Sequence, residues 1–389
     1  MKRFLIIMTL VAVVSDYLLH PFYPQFFEAR FGVTNPEWVG YYFAAICFMV
    51  MISFPFWAYI SKKIAELHIL VYTQCIAGIL ALCCYYTDSY INFWMISLLM
   101  ILFKGSYLLV YPYILKITGK KEHSKIIGIL SVVVHLGGVL GAVIGGVTVD
   151  AIDASYIFLI MALGDFIQMG MTIYLLKSTR YNTSRIVEDK KEITLDQKVI
   201  PKGFVLKIGL ITLVLYGSGF ITRPFFSSYW EYISTYNSKL VSGTIYAIPA
   251  LVALLVLWWD IKTKKTTSTR IVTPLCIGVL GLWIQGVPIP LVVIIGRVIY
   301  GWAVFRAIVR FDVLLFEFST PDTYAIDYSK VHFFQNLGVL ISSFLVGILV
   351  ERYGLEIPFS IAWIGFGLTL ILFVTFFKTK FKRLILKAT

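Results

Sequence analysis

Charge is what this chain has least of. Of its 389 residues, 14% are Asp, Glu, Lys or Arg, against 59% that are hydrophobic. A water-soluble protein must clothe its core in polar side chains, and this ratio excludes one. Polar stretches are equally scarce. Residues 177–202 form the single extended one, so no soluble domain fits between the apolar segments. The five cysteines (Cys47, Cys75, Cys83, Cys84 and Cys276) all lie inside apolar runs. They imply neither a disulfide framework nor a metal site, and read as small buried side chains. No Walker loop, no His-Glu-x-x-His zinc motif and no nucleophile elbow is present. The reading is therefore of a non-enzyme without cofactor or metal, and not of an ATP-driven pump. The start, Met1-Lys2-Arg3 followed by apolar residues, has the look of a signal peptide. No small-residue cleavage site follows, and Asp16, Pro21 and Pro24 interrupt it, so it reads as a retained first helix.

What the chain does have is apolar runs of about 20 residues, the length that crosses ~30 Å of hydrocarbon. Twelve follow one another, at roughly 4–27, 38–60, 67–87, 91–116, 126–148, 154–176, 204–229, 239–259, 271–287, 289–315, 328–350 and 357–377. Lipid offers no partner to a bare backbone, so each must be a helix. Lys and Arg number 34. With alternate loops assigned to one side from the amino terminus, 25 of them fall on that side, three (Arg30, Lys239, Arg352) on the other, and six within spans. So skewed a count predicts a multi-pass protein of the inner (cytoplasmic) membrane with both termini cytoplasmic. It also explains the net charge of +13 without a nucleic-acid partner.

The chain repeats itself. His20-Pro21-Phe22-Tyr23 leading to Glu28 returns as Arg223-Pro224-Phe225-Phe226 leading to Glu231, at an offset of 203. Phe103-Lys104-Gly105 matches Phe305-Arg306-Ala307, and His135-Leu136-Gly137-Gly138-Val139-Leu140 matches Gln335-Asn336-Leu337-Gly338-Val339-Leu340. Near-constant offsets across three helix pairs predict duplication. The expected fold is an all-α polytopic membrane protein of twelve transmembrane helices in two pseudo-symmetric six-helix halves. Residues 1–177 would form the first half, 178–203 a cytoplasmic linker and 204–389 the second half.

On these motifs the chain resembles the major facilitator superfamily, in its proton-coupled antiporter and exporter branches. Asp16 followed by Pro21 and Pro24 looks like that family's first-helix signature. The run Gly137 to Gly146 resembles its glycine-rich fifth-helix motif, with Ala142 where proline is usual. Arg297-Val298-Ile299-Tyr300-Gly301 is similar to an Arg-x-x-x-Gly pattern of the fourth helix, but lies in span 10. Ala58-Tyr59-Ile60-Ser61-Lys62-Lys63 keeps the basic pair of the loop between helices 2 and 3 and lacks its glycine and aspartate. The resemblance implies alternating access, proton-driven export, and a contact of the two halves at Gly137, Gly141 and Gly145 that acts in gating.

Ionisable groups at membrane depth carry the remaining signal, because each costs a few kcal/mol to place there. Asp16 and Asp165 lie near mid-depth and are the candidates for proton coupling; the structural alternatives are a fixed ion pair of Asp16 with Lys104 or Arg306, and for Asp165 the capping of a buried polar cluster beside Gly164 and Gln168. Asp312 and Arg310, near one end of span 10, are candidates for a gate. Lys104, Arg223, Arg297 and Arg306 outnumber the embedded carboxylates, so the interior leans positive and favours an anionic small molecule over a cationic drug. Tyr107, Tyr300, His20 and His135 join them as candidate substrate contacts. The expected partners are protons, the lipid bilayer and a small anionic organic substrate, such as a carboxylate-type siderophore or metabolite, handled by a monomer. Import of an organic anion by proton symport, multidrug export and lipid or glycolipid flipping are the alternatives.

Overall fold

The computed structural model describes residues 2–117, 123–179, 203–236, 238–263, 271–318 and 324–385. Nearly all of the expected linker, 178–203, lies outside the described residues. Among the described residues the elements are helical throughout. In order they are α1 (Lys2–Tyr17), α2 (Tyr23–Phe31), α3 (Pro36–Ile60), α4 (Glu66–Tyr86), α5 (Tyr90–Lys104), a 3-10 segment η1 (Gly105–Leu109) and α6 (Val110–Lys116). There follow α7 (His123–Ala151), α8 (Tyr156–Thr179), α9 (Phe204–Phe220), α10 (Phe226–Ile233) and α11 (Lys239–Thr263). The last four are α12 (Val272–Gln285), α13 (Pro290–Phe318), α14 (Tyr324–Tyr353) and α15 (Ile357–Ile385). Nine described segments are long and apolar enough to cross a membrane unaided, and α9 and α12 are shorter apolar helices. With α1 and α2 forming one broken span, and α9 and α10 another, the twelve expected spans are all accounted for.

The breaks fall at the repeated strings. Pro21 and Pro224 cannot donate a helical hydrogen bond, and the residue before a proline is pushed out of the helical region. α1 therefore stops at Tyr17 and α9 at Phe220, and each chain restarts as a short second helix. The two restarts pack alike. In α2, Phe26 meets Phe158 with ring centroids 5.5 Å apart; in α10, Tyr229 meets Phe359 at 4.7 Å. The near-constant offset between these two pairs is the duplication seen as packing.

Span 4, expected as one continuous helix, also breaks. The chain tightens from α-helix into η1 at Gly105, directly after Lys104. Tightening moves hydrogen bonds from i→i+4 to i→i+3, and the Leu102 carbonyl accepts instead from Ser53 Oγ at 2.8 Å and Trp57 Nε1 at 2.7 Å. Any side chain at position 105 would strike the Ser53 hydroxyl. On the other side of η1, the Ser106 hydroxyl pairs with that of Thr73 at 2.6 Å. Neighbouring helices thus hold the break in place.

The chain divides into two compact units, one of residues 1–34, 48–196 and 238–247, the other of 35–47, 197–237 and 248–389. In the first, α1 packs on α7 and α8, and α4 on α5 and α8. In the second, α9 packs on α14 and α15, and α12 on α13 and α15. The pairings correspond one to one under the repeat. Each unit also includes the first turns of a helix whose remainder belongs to the other. In the first unit, Asp150 at the end of α7 accepts from the Lys239 and Leu240 amides, both at 2.7 Å, and from the Ser238 hydroxyl at 2.6 Å, capping α11. In the second, Gly40 of α3 lies against Gly347 of α14, where a methyl group would come within 2.8 Å of backbone.

Candidate functional site

In the first unit, the embedded charges of spans 1, 4 and 6 meet. Lys104 Nζ lies 3.4 Å from Asp16 Oδ1 and 3.6 Å from Asp165 Oδ1. The Lys104 and Asp165 side chains are 5% and 0% exposed, while that of Asp16 is 32% exposed. The local structure explains the meeting. Ser15 and Gly164 are in such close contact that a side chain at 164 would strike the serine hydroxyl, which sets Asp16 and Asp165 beside each other on α1 and α8. η1 does the rest. Three residues per turn place Tyr107 on the face of Lys104, and its hydroxyl also hydrogen-bonds to Asp16.

The cluster is incompletely satisfied. Gln168 Nε2 donates to Asp165 Oδ1 at 3.4 Å. Asp165 Oδ2 and Gln168 Oε1 are buried and have no hydrogen-bond partner among the described residues. Two carboxylates share one ammonium, so the trio carries a net negative charge when all three are ionised. In a medium of low dielectric such an excess is costly, and one bound proton removes it.

The second unit holds the arginines. Arg297 is 5% exposed. Its guanidinium lies over the Phe226 ring, 3.9 Å from the centroid, and Nη1 donates to Gln285 Oε1 at 3.4 Å. Gln285 is oriented by Nε2, which donates to the Gly281 and Gly296 carbonyls at 3.0 and 3.4 Å. Arg223, at the α9–α10 break, packs its guanidinium against Phe220 at 5.7 Å. Tyr300 lies three residues along α13 from Arg297 and so shares its face. It is buried, and both Arg223 and Arg297 are within electrostatic reach of its hydroxyl.

The other candidates sit elsewhere. Arg306 is gripped by Asp260 through both carboxylate oxygens, at 2.5 and 2.8 Å, a fork-to-fork pair joining α13 to α11. Asp260 falls just past the predicted end of span 8 at residue 259, so hydropathy does not mark it as embedded. Asp312 is half-buried near Tyr216, and Arg310 is buried. His20 Nδ1 and the Tyr246 hydroxyl are 3.0 Å apart, and the His20 ring stacks on Tyr17. His135 is partly buried on α7. Gly137, Gly141 and Gly145 form a stripe on α7 along which α1 lies directly. Among the described residues no group of three or more His, Cys, Asp or Glu is placed to hold a metal ion. Gln168 beside Asp165 is the polar neighbour the sequence marks, whereas nothing in the sequence reading singles out Gln285. The signal for Gln285 is a lone amide side chain inside the apolar run 271–287.

The family model described as Major Facilitator Superfamily matches residues 5–309. No curated protein sequence matches. Among solved structures, the chain is similar to an auto-inhibited POT family peptide transporter, with a TM-score of 0.75 and 10% identity over 96% of each chain. It is similar to the nucleoside transporter NupG, at 0.68 and 12% identity over 97% of this chain and 99% of that one. It is similar to the human organic anion transporter MFSD10, at 0.68 and 11% identity over 95% and 98%. At these identities the likeness carries the fold.

Proposed function

The chain belongs to the Major Facilitator Superfamily, a multi-pass transporter family, and on that premise we propose that it is a proton-coupled secondary transporter of a small organic anion. The observation that carries this reading is the buried Lys104 held between Asp16 and Asp165. One proton neutralises the trio and a second leaves it with a net positive charge, so its charge can change with the side of the membrane it faces. Asp16 is the exposed member and exchanges the proton with water; Asp165 stores it. Lys104 keeps either carboxylate ionised in its turn, and Tyr107 and Gln168 complete the set of groups facing the pair. Substrate is the task of the second half, where four embedded arginines (Arg223, Arg297, Arg306, Arg310) outnumber Asp260 and Asp312.

The loop charges support an inner-membrane location with both termini cytoplasmic. Transport proceeds by alternating access of the two six-helix halves, and export is the favoured direction. A citrate-like chelator or metabolite suits the arginine-rich half better than a cationic drug, which the positive potential repels. The full-length protein, reconstituted in proteoliposomes, tests the coupling. An imposed pH gradient drives uphill movement of the transported anion in the native protein. Asp16→Asn and Asp165→Asn abolish uphill movement while exchange of labelled for unlabelled substrate continues. Uphill transport that survives both substitutions would reject the proton site. Metabolite profiles of cells with and without the gene, under iron limitation, settle direction: an anionic chelator retained inside the deletion strain means export, and one depleted inside means import.

A further inference from the structure

We propose that Tyr300, with Arg297 and Arg223, forms a subsite for a single oxyanion, the carboxylate or phosphate group of the transported molecule. This rests on the transporter reading above. The carrying observation is the Tyr300 hydroxyl. The residue is 5% exposed, and among the described residues its hydroxyl has no hydrogen-bond partner. A buried hydroxyl without a partner is destabilising, and proteins retain such groups where a ligand completes them. The hydroxyl points at the last turn of α9, close enough to Gly219 that a methyl group there would lie 2.8 Å away. Four residues after Gly219 comes Arg223, and then Pro224 and the start of α10 at Phe226. The N-cap residue of α10, Phe225, contributes no side-chain hydrogen bond, so the helix start keeps its positive end toward the break.

The two guanidiniums are braced by aromatic rings. Phe226 supports Arg297 face-on, and Phe220 supports Arg223. Gln285, tied to two backbone carbonyls, fixes the plane of Arg297. An oxyanion at the Tyr300 hydroxyl receives one neutral hydrogen bond and a field from two positive charges that do not titrate in the physiological range. The group recognised is therefore planar or tetrahedral, oxygen-rich and ionised at neutral pH.

The test uses purified full-length protein in nanodiscs, titrated with citrate, benzoate and inorganic phosphate at constant ionic strength. At least one probe binds the native protein. Tyr300→Phe raises the unfolding temperature without anion, because it removes an unsatisfied hydroxyl, and weakens that probe about tenfold. Arg297→Lys weakens it further, since an ammonium cannot reproduce the guanidinium fork. Carboxylate binding assigns the group to an organic acid and phosphate binding to a phosphorylated substrate; competition by anionic but not zwitterionic nanodisc lipid assigns it to a headgroup. Each of these supports the subsite. A lowered unfolding temperature in Tyr300→Phe, an affinity unchanged by both substitutions, or no binding of any probe overturns it. Proton-driven transport lost in Asp16→Asn, with Tyr300→Phe binding as the native protein does, would leave the transporter reading standing and remove only the subsite.

Discussion

At the scale of single residues, the embedded charges sort into two kinds. Arg306 and Asp260 satisfy each other through two short hydrogen bonds, and such a closed pair has little left to offer a ligand. Lys104 is shared between two carboxylates at 3.4 and 3.6 Å, longer than an ideal ion pair, and leaves Asp165 Oδ2 without a hydrogen-bond partner among the described residues. A closed pair holds helices; a strained trio can change its proton count. Lys104→Met therefore costs about 3 kcal/mol of stability, because it abandons two carboxylates in a buried site. Adding Asp165→Asn to it recovers part of the loss, and thermal unfolding of the two single and one double variants measures the coupling. Additive effects would mean the trio does not act as a unit. The sequence alone exposed Asp16, Asp165 and Lys104 as costly residues at depth. It left open whether Asp16 pairs with Lys104 or Arg306, since one pairing lies within a unit and the other does not.

Among the elements, α7 shows how much a glycine's neighbour matters. A methyl group at Gly141 would come within 2.7 Å of the Val14 carbonyl and of Tyr17 Cβ, both on α1, whereas one at Gly128 of the same helix meets nothing within 4 Å. Gly141→Ala is expected to destabilise by about 1–3 kcal/mol by forcing α1 away. Gly128→Ala is expected to stabilise by about 0.5–1 kcal/mol through helix propensity. The same substitution, thirteen positions apart, thus moves the unfolding temperature in opposite directions, and equal shifts would refute the packing role of the stripe. The stripe was legible as Gly-rich; that it faces α1 was not, because spacing fixes a face and not the helix it meets. The η1 break was hidden for a related reason. Gly105 carries no proline beside it, and the stitching comes from Ser53, Trp57 and Thr73, 32 to 52 residues away in sequence.

For the whole molecule, the loop charges make a prediction independent of any site. A fluorescent protein fused after Thr389 folds and glows on the cytoplasmic side, and an alkaline phosphatase fused there stays inactive; phosphatase activity at that end would invert the topology. Span number, helical class and internal duplication follow from the sequence by itself, because lipid forces every backbone group to be satisfied within its own segment and so makes each element readable locally. The family is legible for the same reason. What only the tertiary structure decided is partnership: that Lys104 stands between Asp16 and Asp165, that Asp260 takes Arg306, that Gln285 and Phe226 hold Arg297, and that the Tyr300 hydroxyl has no hydrogen-bond partner among the described residues. An ion pair or an unsatisfied hydroxyl is a matter of a few ångströms between helices distant in sequence. Hydropathy and spacing along one chain carry no information at that range.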